Sequence, residues 1–145
     1  MKTFVPKLVN NASRKWYIVD ASQLVVGKIA VIIANLLRGK NQVDYVSHLD
    51  LGDYVIVINS AKINLTGNKI EDKNYYSHSG YLGNLKTRKA KDLLENNPNK
   101  IIFEAVSGMI PNNKLKKNML KRLKIFSEAE HAHEAQNPIK IEIEN

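Results

Sequence analysis

The segment His78-Ser79-Gly80-Tyr81-Leu82-Gly83-Asn84-Leu85-Lys86 spaces two glycines among groups that suit a phosphate. Glycine lets the backbone approach an anion closely, Ser79 and His78 can hydrogen-bond phosphate oxygens, and Tyr81 offers a stacking face. The segment carries neither the Walker pattern nor the GxGxxG dinucleotide pattern, and taken alone it reads equally as an ordinary tight loop. A second candidate is the stretch from Asn112 to Lys124, which holds six basic residues and no acid. Read as a helix from Asn113, it sets Leu115, Met119 and Leu123 on one side and Lys114, Lys117, Lys121 and Lys124 along another stripe. Such a helix docks by its apolar side and presents ammonium groups to phosphates. The bland reading is a solvated face; a calmodulin-type or membrane-surface helix would need its apolar side free.

Glu130-His131-Ala132-His133-Glu134 has the residue types of a metal site, with His78 or His48 as further ligands. The spacing of two is not the i, i+4 pair of a zincin helix, and a structural zinc needs four fixed ligands. The pair is therefore expected to face RNA or backbone, with no metal or cofactor bound. Asp50 and Asp53 lie near His48, but Asp53 reads as a turn residue leading into the next strand. No Ser/His/Asp order and no paired carboxylates in a cleft stand out.

The charge narrows the partner. The chain has 145 residues, 22 Lys and Arg against 14 Asp and Glu, and no cysteine. A net charge of +8 argues for a polyanion, with nucleic acid ahead of an anionic membrane. Residues 84–126 carry eleven basic and three acidic side chains, whereas 127–145 carry five acids and one lysine. Without cysteine there are no disulfides, thiolate zinc sites or Cys nucleophile. The longest apolar run, Ile29 to Ala34, is too short to span a bilayer, and the first ten residues lack the apolar core of a secretory signal. The reading is of a soluble, intracellular chain.

These groups need a scaffold. Trp16-Tyr17-Ile18-Val19 reads as a strand, and Asp20 or Ser22 as the cap of a following helix. Val25, Ile29, Ile32, Ile33, Leu36 and Leu37 recur at helical spacing, and Arg38-Gly39-Lys40 supplies a stop. Tyr54 to Ile58 is a β-branched run suited to a central strand, so strand, helix and strand make a right-handed βαβ unit. Thr66 to Lys69 reads as a turn, and Lys73 to Ser77 as an edge strand. Asn97-Pro98 opens a helix through Ile101, Ile102, Ala105, Val106 and Met109, which Pro111 ends. The alternation indicates an α/β domain with a mostly parallel sheet.

The order of several motifs is distinctive. Trp16-Tyr17 with Asp20-Ala21, then Leu36 to Lys40, Gly52 to Asn59, and Lys62-Ile63 before Leu65-Thr66-Gly67 form its first half. Tyr75-Tyr76, His78 to Tyr81, Gly108 to Pro111, Asn113 to Leu115, Met119 to Lys124, Ala129 to His131 and Ala135-Gln136 with Pro138 complete it. From about Trp16 to Pro138 the chain closely resembles the bacterial-type large-subunit ribosomal protein thirteen family. The departures are Leu82 and Asn84, where the family usually has Pro and a second Gly, Lys116 for Gly, and Ala132 for Pro.

The resemblance implies a single three-layer α/β/α domain over residues 1–145, with basic loop and helix extensions. It also implies a structural, non-catalytic role in the large ribosomal subunit, binding its rRNA early in assembly beside neighbouring ribosomal proteins. Membrane and small-molecule substrate are not expected, and the place is a ribosome in the cytoplasm or in an organelle. Lys28, Arg38, Lys40, Lys86, Lys114, Lys116, Lys117, Lys121, Arg122 and Lys124 are then the phosphate ligands. His78, Ser79 and Tyr81 read shape, and His131 faces RNA. A free regulator of messenger RNA would need the same surface. A phosphate-handling or metal-dependent enzyme would need a nucleophile and base that the chain does not supply. Residues 139–145 run beyond the match as a docking strand or a frayed end.

Overall fold

The computed structural model describes residues 5–6 and 13–141, so most of the N-terminal segment and the end of the acidic tail lie outside the described residues. β1 (Trp16–Asp20) leads through a turn into α1 (Val26–Arg38), and the chain returns in β2 (Tyr54–Ile58). β1 and β2 pair in parallel, Trp16 beside Tyr54 through Asp20 beside Ile58, as the βαβ reading requires. α1 forms because Ile29, Ile33, Leu36 and Leu37 share one buried side. It ends at Gly39, whose φ of 74° lets the Gly39 and Lys40 amides reach back to Leu36 and Asn35 at 3.0 Å.

The start of α1 differs from expectation. Neither Asp20 nor Ser22 caps it; Val25 precedes the first turn in extended form, and the Val26 amide donates to the Asn64 carbonyl at 3.2 Å. Asp20 is too far back along the chain to reach those amides. Its carboxylate instead accepts from the Ser22 amide and hydroxyl, at 2.9 and 2.7 Å, and from the Asn59 side chain at 3.1 Å. Burial alone would raise the Asp20 pKa, but these bonds and nearby Lys62 outweigh it and hold the group below its ordinary value.

The main sheet has the order β5-β2-β1-β6, with β5 at Leu123–Ile125 and β6 at Ile139–Lys140, and every adjacent pair is parallel. The helix expected from Asn113 to Lys124 is therefore cut short. α5 is only Lys116–Lys121, and Leu123 and Lys124 pair with Val55 and Ile56. The open ladder of β2 needs a partner strand, and that pairing takes the residues from the helix. β6 resolves the tail up to residue 141 as a docked edge strand, with the Ile141 amide donating to Ile18 at 3.1 Å.

One face of the sheet, with Val19, Val55, Val57 and Leu123, packs on α1 and α4 (Pro98–Met109), and α3 (Ala90–Asn96) adds Leu93 to the same core from beside α4. On the other face Trp16 and Tyr54 stack at 4.2 Å, and a strap over 126–138 lies against them. His133 sits 5.2 Å from Trp16, and the strap contains one helical turn, Glu134–Gln136. The α/β architecture with a parallel sheet is thus present, and its second outer layer is thin.

Arg122 was expected on RNA, and the structure corrects this. Its side chain is only 6 % exposed, and its guanidinium grips both oxygens of Asp50 at 2.5 and 2.6 Å and donates to the Leu37 carbonyl at 3.1 Å. Arg14 joins the cluster through the Asp50 carbonyl at 2.9 Å and the Gly52 carbonyl. Burial, then the neighbouring Arg122 charge, lowers the Arg14 pKa. A guanidinium so buried and so held is turned away from solvent and from any phosphate there, although its Nε has no partner among the described residues. We predict that Asp50→Ala lowers unfolding free energy by roughly 3–5 kcal/mol, because it strands two buried cations. Gly52→Ala should cost about 2 kcal/mol or more through overpacking, since a Cβ there would sit 1.7 Å from the Leu37 carbonyl oxygen. Urea unfolding monitored by circular dichroism checks both.

Candidate nucleic-acid interface

The residues expected in a phosphate loop sit at the tip of an arm. β3 (Asn74–His78) and β4 (Leu85–Lys89) form an antiparallel hairpin separate from the main sheet. Lys73 to Ser77 is thus a strand, but not an edge of the main sheet. The turn beyond Thr66 also carries a short α2 (Lys69–Asp72) leading into the arm. At the tip Gly80 and Gly83 have φ of 94° and 75°, conformations that suit glycine, and the space where their side chains would stand is open. His78 Nδ1 accepts from the Gly80 amide at 2.9 Å, which leaves Nε2 as the outward donor.

The arm is anchored only at its base. Tyr75 is half-buried against the core, Lys73 Nζ lies 5.2 Å from its ring centre, and the Ala90 amide donates to Lys73 at 2.9 Å. Burial first, then the nearby Glu104 charge, raises the Tyr75 hydroxyl pKa. Residues 73–91 carry Lys73, Lys86, Arg88, Lys89 and Lys91 with no acid. None of these five cations pairs with a carboxylate among the described residues. Arg88 and Lys89 were not singled out from sequence, because Lys86-Thr87-Arg88-Lys89 has no apolar alternation to mark it as a strand.

The other expected ligands lie elsewhere. Lys114, Lys117 and Lys121 are exposed on and before α5, Lys116 is half-buried, and Met119 points into the core. Lys124 is half-buried on β5 rather than on that helical stripe. Lys28 is exposed in the first turn of α1, whereas Arg38 and Lys40 lie at its other end, about 15 Å away by helical rise. Arg38 donates to the Tyr45 hydroxyl at 3.1 Å. His131 is half-buried on the strap, 6.4 Å from the Phe126 ring, and its Nδ1 accepts from the His133 amide at 3.3 Å. The cations thus form separate patches, one on and around α5 and one on the arm, where five cations stand beside His78, Ser79 and Tyr81.

Comparison with known proteins shows the family. The family described as ribosomal protein L13 matches residues 14–132, and the chain belongs to that family. Among curated relatives, a large ribosomal subunit protein uL13 from Pelobacter propionicus is 53 % identical over 138 residues, covering 95 % of this chain and 96 % of the relative. Its counterparts from Baumannia cicadellinicola and Geobacter sulfurreducens are 49 % and 47 % identical over 143 residues, covering 99 % of this chain and 100 % of each relative.

Among the described residues no three His, Asp or Glu side chains cluster in a way that could hold a metal ion. With His131 Nδ1 occupied and His133 against Trp16, the pair packs as aromatic rings rather than converging on a cation. We predict that the purified protein carries no stoichiometric zinc and that a chelator leaves its melting temperature unchanged. A chelator-induced drop that His131→Ala abolishes would reverse this.

Proposed function

We propose that the chain is a structural constituent of the large ribosomal subunit that binds its rRNA and takes part in early assembly of that subunit, without catalysis. The observation that carries this reading is the exposed arm, with five uncompensated cations, on a chain of the ribosomal protein L13 family. Its folded body holds the arm and the α5 segment, and their cations neutralise phosphates of packed RNA. On this reading Lys28, Lys40, Lys86, Lys114, Lys116, Lys117 and Lys121 meet phosphates, with Arg38 and Lys124 as partly buried contributors. His78, Ser79 and Tyr81 fix the register of the arm on RNA. The name shared by the relatives supports the place, a ribosome, and neighbouring ribosomal proteins as the other partners.

Two measurements test this. Binding to large-subunit rRNA fragments should weaken steeply with salt, with a slope of roughly −4 to −5 in log K against log salt for about six phosphates engaged. A slope near zero would contradict charge neutralisation. Replacing Lys114, Lys117 and Lys121 together by Glu should leave the circular dichroism spectrum unchanged, since all three are exposed. It should also remove the chain from large-subunit fractions of a sucrose gradient. Normal incorporation would show those lysines to be idle.

A further inference from the structure

The register of the arm divides its side chains between two faces. Tyr75 lies beside Arg88 and Ser77 beside Lys86, so the guanidinium and one ammonium share the face that at its base turns toward the core. Tyr76 lies beside Thr87 and His78 beside Leu85, so the opposite face bears a tyrosine, an imidazole and a leucine, with Lys89 at its foot. Among the described residues, nothing in the body covers that second face. Tyr76 is 64 % exposed and Leu85 59 %, and at the tip Tyr81 is 76 % exposed and Leu82 fully exposed. Four large apolar or aromatic side chains thus stand in solvent on one narrow arm. A lone exposed leucine needs no explanation, but a grouped set on a two-stranded hairpin does.

We infer that this face of the arm, Tyr76 and His78 with Tyr81 and Leu82 at the tip, is a stacking platform for unpaired RNA bases. The inference rests on the RNA-binding reading above and adds which RNA the arm selects. Phosphates alone would be satisfied by the cationic face, and a duplex presents phosphates and a shallow groove with its bases stacked inside. Aromatic rings beside cations meet the two halves of a single-stranded nucleotide, its flat base and its phosphate. The five cations and absence of acid between residues 73 and 91 favour a polyanion over an apolar protein as the occupant. Leu82, at the outermost point of the turn, is placed to enter between neighbouring bases. Gly80 and Gly83, with open space beside them, let an RNA backbone pass close to the turn.

The test compares two short RNA stems of equal length and charge, one fully paired and one with an unpaired purine bulge carrying a fluorescent aminopurine reporter. The full chain should prefer the bulged stem by about fivefold or more, the lower end of what one stacked base contributes. Tyr76→Leu and Tyr81→Leu, which keep apolar bulk but lose the ring, should each erode that preference and the reporter's quenching. Tyr76→Phe should retain both. Tyr81 lies outside the strand ladder, so its variant reads stacking even where Tyr76→Leu disturbs the hairpin. Equal affinity for the two stems, or a preference that survives both leucine variants, overturns the platform while salt-dependent binding keeps the RNA reading intact. Loss of subunit incorporation by leucine variants whose RNA preference is unchanged assigns the face to a protein partner and also overturns it. Absence of salt-dependent binding to either stem overturns the RNA reading itself.

Discussion

The Asp50 carboxylate, held between Arg122 and Arg14, is the contact on which the arrangement of the parallel sheet depends. Arg122 ends α5 and opens β5, Arg14 precedes β1, and the Leu37 carbonyl that Arg122 also reaches lies in the last turn of α1. One half-buried acid therefore ties an edge strand, a central strand and the crossover helix together. Replacing such a cluster by apolar packing is often no loss in stability, whereas removing one member leaves charge without compensation. Two guanidiniums share one carboxylate here, so the site tolerates loss of that acid worst of all. Gly52 has the same constraint in steric form, because only a residue without Cβ fits against the end of α1.

From this body the arm projects with little support of its own. A hairpin of two strands is marginal in water unless one face is covered, and among the described residues only Tyr75 and the junction at Ala90 provide cover here. The charge on the arm adds to the difficulty, since its cations repel one another with no acid between them. On the reading proposed above, both deficits vanish against RNA, where phosphates neutralise the cations and bases cover the rings. On that reading the molecule is a sheet with its own core and an extension completed by its partner.

Much of the scaffold was legible in the residues. The period of α1 and the β-branched run of β2 are local signals, and each set its element to within a residue or two. β4 and β5 were not legible, because their sequences are polar or short and their partners lie far along the chain or across a turn. Arg122 shows the limit most clearly. In a basic run it is chemically indistinguishable from its lysine neighbours, and only the fold brings Asp50 to it from 72 residues away. At the site, His78, Ser79 and Tyr81 could be found from the glycine spacing, but the division of the arm into two faces requires the strand register. Tyr76 and Leu85 gave no sign of it, since alternation in β3 and β4 is masked by polar residues on both sides.

On the proposed reading the arm gains its order from a partner, whereas the sheet does not need one. Amide hydrogen exchange, followed by mass spectrometry on the free chain and on the chain within purified large subunits, measures this directly. Peptides covering β1 and β2 should be strongly protected in both states, and peptides covering 74–89 should exchange fast in the free chain and slowly in the subunit. Equal protection of the arm in the two states would contradict the claim.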